Sequence, residues 1–280
     1  MKVIDLQKEA ENEELLGLPA IDDGSFKTIY PGTVIQIAGE TEMVYGRLEG
    51  DWSELVGRLR AMKYQRNTRV ARLKLAETHK MTEERTYDRT FGFKPANHIM
   101  GISAGACELN RMFPKTYEEL IRLGAFAIEK YKQFHPEKFK KHFKDVKAFV
   151  KDHWLIPGTP YTQGIVNNTS KMRYHYDRNN FKGVWSVMAY FCHAVGGGEL
   201  LIPSMKVKLK IEDHTFVLFN GNGLIHGVTE IKKLRPSNYR YSIVYYSRQA
   251  MIGLGSFEEE MDRILKSEIE KHKRRVEDKK

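Results

Sequence analysis

The chain has 280 residues, 41% hydrophobic and 29% charged, with a formal net charge of +10. That length suits one elaborated domain or a core with an accessory helical part, and the composition is that of an ordinary soluble globular protein. The only cysteines, Cys107 and Cys192, argue against a disulfide framework and for a reducing cytoplasm; there is no secretory signal and no apolar run long enough to span a bilayer.

Residues 1–16 are polar and acidic, a short helix or a loose end. FKTIY, TVIQIA and EMVYGRL are β-like runs separated by Pro31-Gly32 and Gly39-Glu40. From Trp52 to about His79 the pattern turns helical, with Leu55, Leu59, Met62, Val70 and Leu73 as a buried stripe. The same stretch sets Arg58, Arg60, Lys63, Arg66, Arg69, Arg72, Lys74 and Lys80 against Glu77 alone. Arginines 58, 66, 69 and 72 would share parts of one helical face, either a solvated exterior or a surface that neutralises phosphates. With the net positive charge, this makes nucleic acid a candidate partner. Nothing points to an obligate protein partner.

Residues 85–115, including RTFGFKPANH, read as irregular. Thr116 and Glu119 form a T-x-x-E capping box that predicts a helix to about Phe134, with Leu120, Phe126, Ala127 and Tyr131 inward. Pro136 marks a break before a lysine-rich amphipathic helix with Phe139, Phe143, Val146, Phe149 and Val150 inward. After Trp154 the texture is β: YTQGIVN, GVWSVMAYF, GELLIP, VKLKI, TFVLFN and RYSIVYY, punctuated by Gly, Asn, Pro and Asp. Several short strands at this spacing predict a sandwich or a double-stranded β-helix. Residues 257–276 predict a charged helix that packs Phe257, Met261, Ile264, Leu265 and Ile269 on the body. The expectation is an α+β, jelly-roll (cupin-like) core over 153–250, with strands and basic helices packed on it from 1–152 and a charged helix over 251–280.

One constellation carries chemistry. His175 and Asp177 stand in YHYDRNN; on an extended strand, positions i and i+2 face one side, so both can reach one metal. His226, after TFVLFN and the turn GNG, would arrive from a later strand. Two imidazoles and one carboxylate make the facial triad of non-haem iron(II) oxygenases, with positions left for substrate and O2. Arg240 and Ser242 share a strand face in RYSIVYY; a buried arginine there needs an anion, and the distal carboxylate of 2-oxoglutarate is a suitable one. His193, His214 and His98 lack partners at suitable spacing. Trp185 is expected to pack the barrel, and Gly196–Gly198 to form a tight turn and not a phosphate cradle, since no P-loop lysine and helix follow.

YHYDRNN, GVWSVMAYF, GGGELLIP and LIHGVTEI together resemble the TET/JBP family of nucleic-acid-modifying 2-oxoglutarate dioxygenases, in its compact prokaryotic and phage-type branch. The resemblance covers roughly residues 155–250, and RTFGF near residue 91 resembles a less distinctive upstream motif. It implies a double-stranded β-helix that holds Fe(II) and 2-oxoglutarate and oxidises the 5-methyl group of a pyrimidine in DNA. The pyrimidine is 5-methylcytosine in the TET branch and thymine in the JBP branch. It assigns the iron to His175, Asp177 and His226, the 2-oxoglutarate contacts to Arg240 and Ser242, a base contact to Asn180 and a base-stacking ring to Tyr246. Where the TET branch carries a histidine two residues beyond that tyrosine, this chain has Arg248, which bears on the choice of base. The cysteine-rich zinc region of animal TET proteins is absent, because two cysteines cannot build it.

Overall fold

The computed structural model describes residues 1–72, 81–96 and 102–277. In chain order the strands are β1 (Lys2–Leu6), β2 (Lys27–Ile29), β3 (Thr33–Ile37), β4 (Glu40–Arg47), β5 (Gln65–Arg72), β6 (Met81–Lys94), β7 (Gly105–Ala106), β8 (Gln163–Asn168), β9 (Met172–His175), β10 (Ser186–His193), β11 (Val195–Gly197), β12 (Leu200–Ile202), β13 (Val207–Leu209), β14 (Thr215–Phe219), β15 (His226–Val228), β16 (Ile231–Lys233) and β17 (Tyr239–Tyr246). The helices are α1 (Ser53–Ala61), α2 (Glu108–Met112), α3 (Pro114–Phe134), α4 (Pro136–Lys147) and α5 (Phe257–Glu277).

Two sheets face each other. The larger runs β1-β3-β4-β14-β10-β17-β8-β6-β5, with β7 beside β6, and the smaller runs β2-β13-β12-β15-β9. This is the double-stranded β-helix, and the period of two along each strand sorts its residues. In β10 and β17, Val187, Ala189, Phe191, Tyr241, Ile243 and Tyr245 point to one core, where α1 adds Leu55 and Leu59 and α3 adds Leu120, Leu123 and Ile128. The alternate residues Met188, Tyr190 and Val244 point to the space between the sheets, against Leu200, Ile202, Val207 and Val228. The same parity puts Arg240, Ser242 and Tyr246 on the inter-sheet face. Trp185 is a packing residue, stacked on Tyr131 with ring centroids 5.7 Å apart.

The stretch from Trp52 to His79 is not one helix. α1 ends at Ala61 and the chain re-enters as β5, paired from Gln65↔Asp88 to Arg72↔Met81 with β6. Residues 85–115 are correspondingly less irregular than expected, since 85–94 belong to β6. The reason is tertiary: β6 pairs with β8 over Asp88–Gly92 and so completes the sheet, which overrides a helical spacing that short apolar runs share with strands. Gly164 makes the pairing possible, because a Cβ there would lie 2.1 Å from the Phe91 ring. Among the described residues, β6 pairs with β5 from Met81 to Tyr87 and with β8 from Asp88 to Gly92, so β5 and the first half of β6 form a ribbon beyond the β8 pairing. Arg66, Arg69 and Arg72 occupy β5 positions of both parities, which a strand cannot gather on one face, while Arg58 lies on α1 beside Glu54. The expected single helical face of arginines is thus not formed, since residues 66, 69 and 72 lie on a strand and Arg58 on a helix. Leu73, Lys74, Glu77, His79, Lys80 and His98 lie outside the described residues.

Three smaller expectations also change. α3 starts at Pro114, whose ring pre-sets the first helical turn, so Thr116 is a buried residue inside the helix and no side chain caps it. In α4, Val146 faces inward as expected, but Phe149, after the helix ends, is 57% exposed. α5 docks only through its first turn, where Phe257 meets the Trp154 ring at 4.3 Å and Glu260 is buried. From Met261 to Lys273 no residue is buried, and Met261, Leu265 and Ile269 form an exposed apolar row. Among the described residues no helix is long and apolar enough to cross a membrane.

Candidate metal centre and cavity

His175 ends β9 and His226 begins β15, and the two residues are direct partners in the antiparallel register of the smaller sheet. Their rings lie 4.3 Å apart, and Asp177 Oδ1 is 3.6 Å from His175 Nε2. One ligand atom from each of the three residues lies within 4.8 Å of the others, close enough to hold one ion. Asp177 sits two residues past the strand end, where its N–H donates to the Gly221 carbonyl at 2.9 Å.

Backbone carbonyls orient both imidazoles. His175 Nδ1 lies 2.8 Å from Arg173 O, and His226 Nδ1 lies 2.9 Å from Leu224 O. A carbonyl can only accept, so each ring carries its proton on Nδ1 when neutral and offers a bare Nε2. Burial, with His175 beside it, pushes the His226 pKa down to about 4. It is therefore unprotonated at neutral pH, the form a metal needs.

The donor set fits iron(II): two imidazole nitrogens and one carboxylate on one side, with the other side open to a cavity. That cavity, about 550 Å³, is lined by all three candidate ligands together with Asn180, Ser242, Tyr246 and Arg248. Its apolar wall includes Ile165, Met188, Val228 and Val244. Arg240 lies beyond this lining, on the same face of β17, 1% exposed. Its Nη2 donates to Gly198 O at 2.9 Å and its guanidinium lies 5.3 Å from the Tyr190 ring centroid, but Nε and Nη1 are buried without a partner. A buried cation with two unspent donors fits the carboxylate of a 2-oxo acid. Gly196 and Gly197 belong to β11, paired with β16, and not to the expected tight turn, while a Cβ on Gly198 just after it would lie 2.8 Å from Arg240 Nε.

The remaining candidates converge on the cavity mouth. Asn180 and Arg248 form an isolated β-bridge, and Asn180 Nδ2 donates to Ser186 Oγ at 3.3 Å. Tyr246 Oη and Arg248 Nη1 both donate to Gln163 Oε1, at 3.1 and 3.3 Å. The described decoys lie elsewhere: His193 stacks on Tyr239, and His214 contacts Asp213 at 2.9 Å. Sequence reasoning missed Gln163, Gly221 and Asn222. Only the GNG turn was visible, and it says nothing of the partners the turn meets.

No protein-family model matches the chain. The chain is 24% identical over 161 residues to NAD kinase 2 of Listeria monocytogenes and of Listeria innocua, over 57% of this chain and 54% of each of those proteins. It thus spans about half the length of the curated relatives it matches. Among solved structures it is similar to NgTET1 in complex with 5mC DNA, with a TM-score of 0.56 and 12% identity over 85% of each chain. Weaker likeness extends to a 2OG-Fe(II) oxygenase family oxidoreductase from Burkholderia pseudomallei, with a TM-score of 0.43 and 15% identity over 74% of this chain and 88% of that one. The chain shares with the first of these structures the double-stranded β-helix fold.

Proposed function

We propose that this protein is an Fe(II)- and 2-oxoglutarate-dependent dioxygenase that hydroxylates the 5-methyl group of a pyrimidine in DNA, converting 5-methylcytosine to 5-hydroxymethylcytosine. The observation that carries the reading is the His175, Asp177 and His226 cluster opening on one cavity, with the buried Arg240 guanidinium, its Nε and Nη1 unpartnered, on the larger sheet. The bound iron would activate O2 at the expense of the 2-oxo acid. The residues themselves bind and orient. His175, Asp177 and His226 hold the metal from one side. Arg240 and Ser242 grip the distal carboxylate, and Val228, Val244, Ile165 and Met188 keep that end of the cavity dry.

A methyl group inside a duplex is out of reach of this cavity, so the base must leave the stack at a cost of a few kcal/mol. Stacking on Tyr246 and a hydrogen bond from Asn180 offset that cost, and the basic β5–β6 arm meets the backbone phosphates. The fold likeness to a structure solved with 5mC DNA agrees with this reading. One observation favours thymine as a second reading. Arg248 is a donor only, and thymine presents the O4 acceptor where cytosine presents the N4 donor.

The test is mass spectrometry of nucleosides from methylated and unmethylated DNA incubated with protein, Fe(II), ascorbate and 2-oxoglutarate, with His175→Ala as control. Hydroxymethylcytosine from methylated DNA, absent in the control, is the expected result. Hydroxymethyluracil from either DNA moves the substrate to thymine. Succinate formed over unchanged bases retains the oxygenase and removes DNA as substrate.

A further inference from the structure

We propose that Asn222 is a positioning residue that sets the distance and angle between the metal ligand Asp177 and the base contact Asn180. The metal half of this inference stands on geometry alone, and the base half rests on the function proposed above.

Asp177 and Asn180 are the two ends of one short turn, closed by the Asn180 N–H on the Asp177 carbonyl at 3.0 Å. Such a turn, lying past the end of β9, has no ladder to hold it. The turn that follows β14 takes that role. Asn222 Nδ2 donates to Asp177 O at 3.0 Å and to Asn180 O at 3.2 Å, so both hydrogens of one amide are spent on the two ends of the turn. Both partners can only accept, which settles which way the amide faces. The preceding residue completes the clamp. Gly221 O accepts from the Asp177 N–H at 2.9 Å, so the Asp177 peptide groups are held on both sides. A Cβ at Gly221 would lie 2.5 Å from Asp177 Oδ2, so the carboxylate reaches its place across a position that carries no side chain. From the opposite side, Phe181 N–H donates to Ser247 O and Gln249 N–H to Asn179 O, both at 2.9 Å. The turn is thus pinned between the Gly221–Asn222 turn and the segment that follows β17 and carries Arg248.

Asn222 does not line the cavity. It borders a second depression with Glu13, Tyr176, Arg178 and Lys182, the middle two of which also line the cavity. Its side chain reaches the site through Asp177 and Asn180, and it holds both. Loss of its amide removes a donor from the Asn180 carbonyl, leaves the Asp177 carbonyl with the Asn180 N–H alone, and lets the carboxylate and the base contact move together. Outer partners of metal ligands typically cost about 10–100-fold in metal affinity when removed.

The experiment uses the full chain with Asn222→Ala and Asn222→Asp. The aspartate keeps the shape but turns carboxylate oxygens toward both carbonyls. Co(II) affinity of the metal-free protein is read from visible absorbance, and KM and kcat are measured separately for DNA and for 2-oxoglutarate. The expected result is Co(II) binding weakened about tenfold or more in both variants, a raised KM for DNA, and a 2-oxoglutarate KM within about twofold of the parent, because Arg240 and Ser242 sit on β17, away from the clamp. A merely structural asparagine would lower the melting temperature and leave Co(II) affinity unchanged, and that outcome overturns the proposal. If the alanine variant does not fold, the near-isosteric aspartate carries the same comparison. If the parent protein leaves DNA unmodified, the functional reading fails by itself, and the Co(II) titration still decides the role of Asn222.

Discussion

His175 and His226 are held alike, Nδ1 on a carbonyl two residues back, so a metal finds two imidazole Nε2 atoms already aimed. Replacing the half-buried His175 with alanine is expected to leave the fold intact and abolish both Co(II) binding and hydroxylation, checked by titration and nucleoside analysis. Arg240 invites the opposite kind of prediction. An unneutralised buried guanidinium is costly, and an apolar residue of similar volume removes that cost. Arg240→Met is therefore expected to equal or exceed the parent in melting temperature without ligand, while raising the KM for 2-oxoglutarate at least about 100-fold, in line with the loss of a charge-assisted hydrogen bond of roughly 3 kcal/mol. His142 gives a pH signature unrelated to catalysis. Ser247 Oγ donates to Pro160 O, so His142 Nε2 must be the donor in its 3.1 Å contact with Ser247, and Nδ1 is buried without a partner. Burial pushes its pKa down to about 3. The unfolded chain, with an ordinary histidine near 6.5, takes up a proton that the folded chain refuses. The His142 contribution is complete above pH 6.5 and is lost as pH falls toward 3, by up to about 1.4 kcal/mol per pH unit. Denaturant titrations from pH 7 to 4 should show a shallower loss in His142→Gln than in the parent.

At the scale of elements, the β5–β6 arm shows where periodicity misleads. Val70 is spaced for a helix, but in β5 it pairs with β6 at the end of the sheet, and backbone pairing outweighs local preference. The arginines survive the change of element and are redistributed along a ribbon that reaches the cavity through Glu84. Reversing Arg66, Arg69 and Arg72 to glutamate is expected to raise the KM for DNA without changing kcat. It should also reduce the slope of log affinity against log salt by about one for each phosphate that is no longer neutralised, read by fluorescence anisotropy at several salt concentrations. α5 was legible as a helix with an apolar row from its spacing alone. That the row stays exposed was not legible, because spacing states which residues share a face and not what lies opposite.

For the whole molecule, the site is divided between the two sheets. β9 and β15 of the smaller sheet present the imidazoles, while β17 of the larger sheet presents Arg240 and Ser242. Metal and 2-oxo acid together would therefore tie one sheet to the other, and ligands that bind only the folded state stabilise it by mass action. Co(II) with 2-oxoglutarate is expected to raise the melting temperature above Co(II) alone. Arg240→Met should keep the metal increment and lose the one due to 2-oxoglutarate, as followed by differential scanning fluorimetry.

The α+β class, the β-rich core, the inward face of β17 and the identity of the candidate ligands were legible in the order of the residues. Those follow from alternation and from donor chemistry, which are properties of residues a few positions apart. Only the tertiary structure decided that residues 65–72 join a sheet, that Asp177 leaves its strand, and that Gln163 and Asn222 support the groups around them. Each of these depends on a partner far along the chain, Asp88 for Gln65 or Asp177 for Asn222, and no local pattern records which distant carbonyl a side chain will meet.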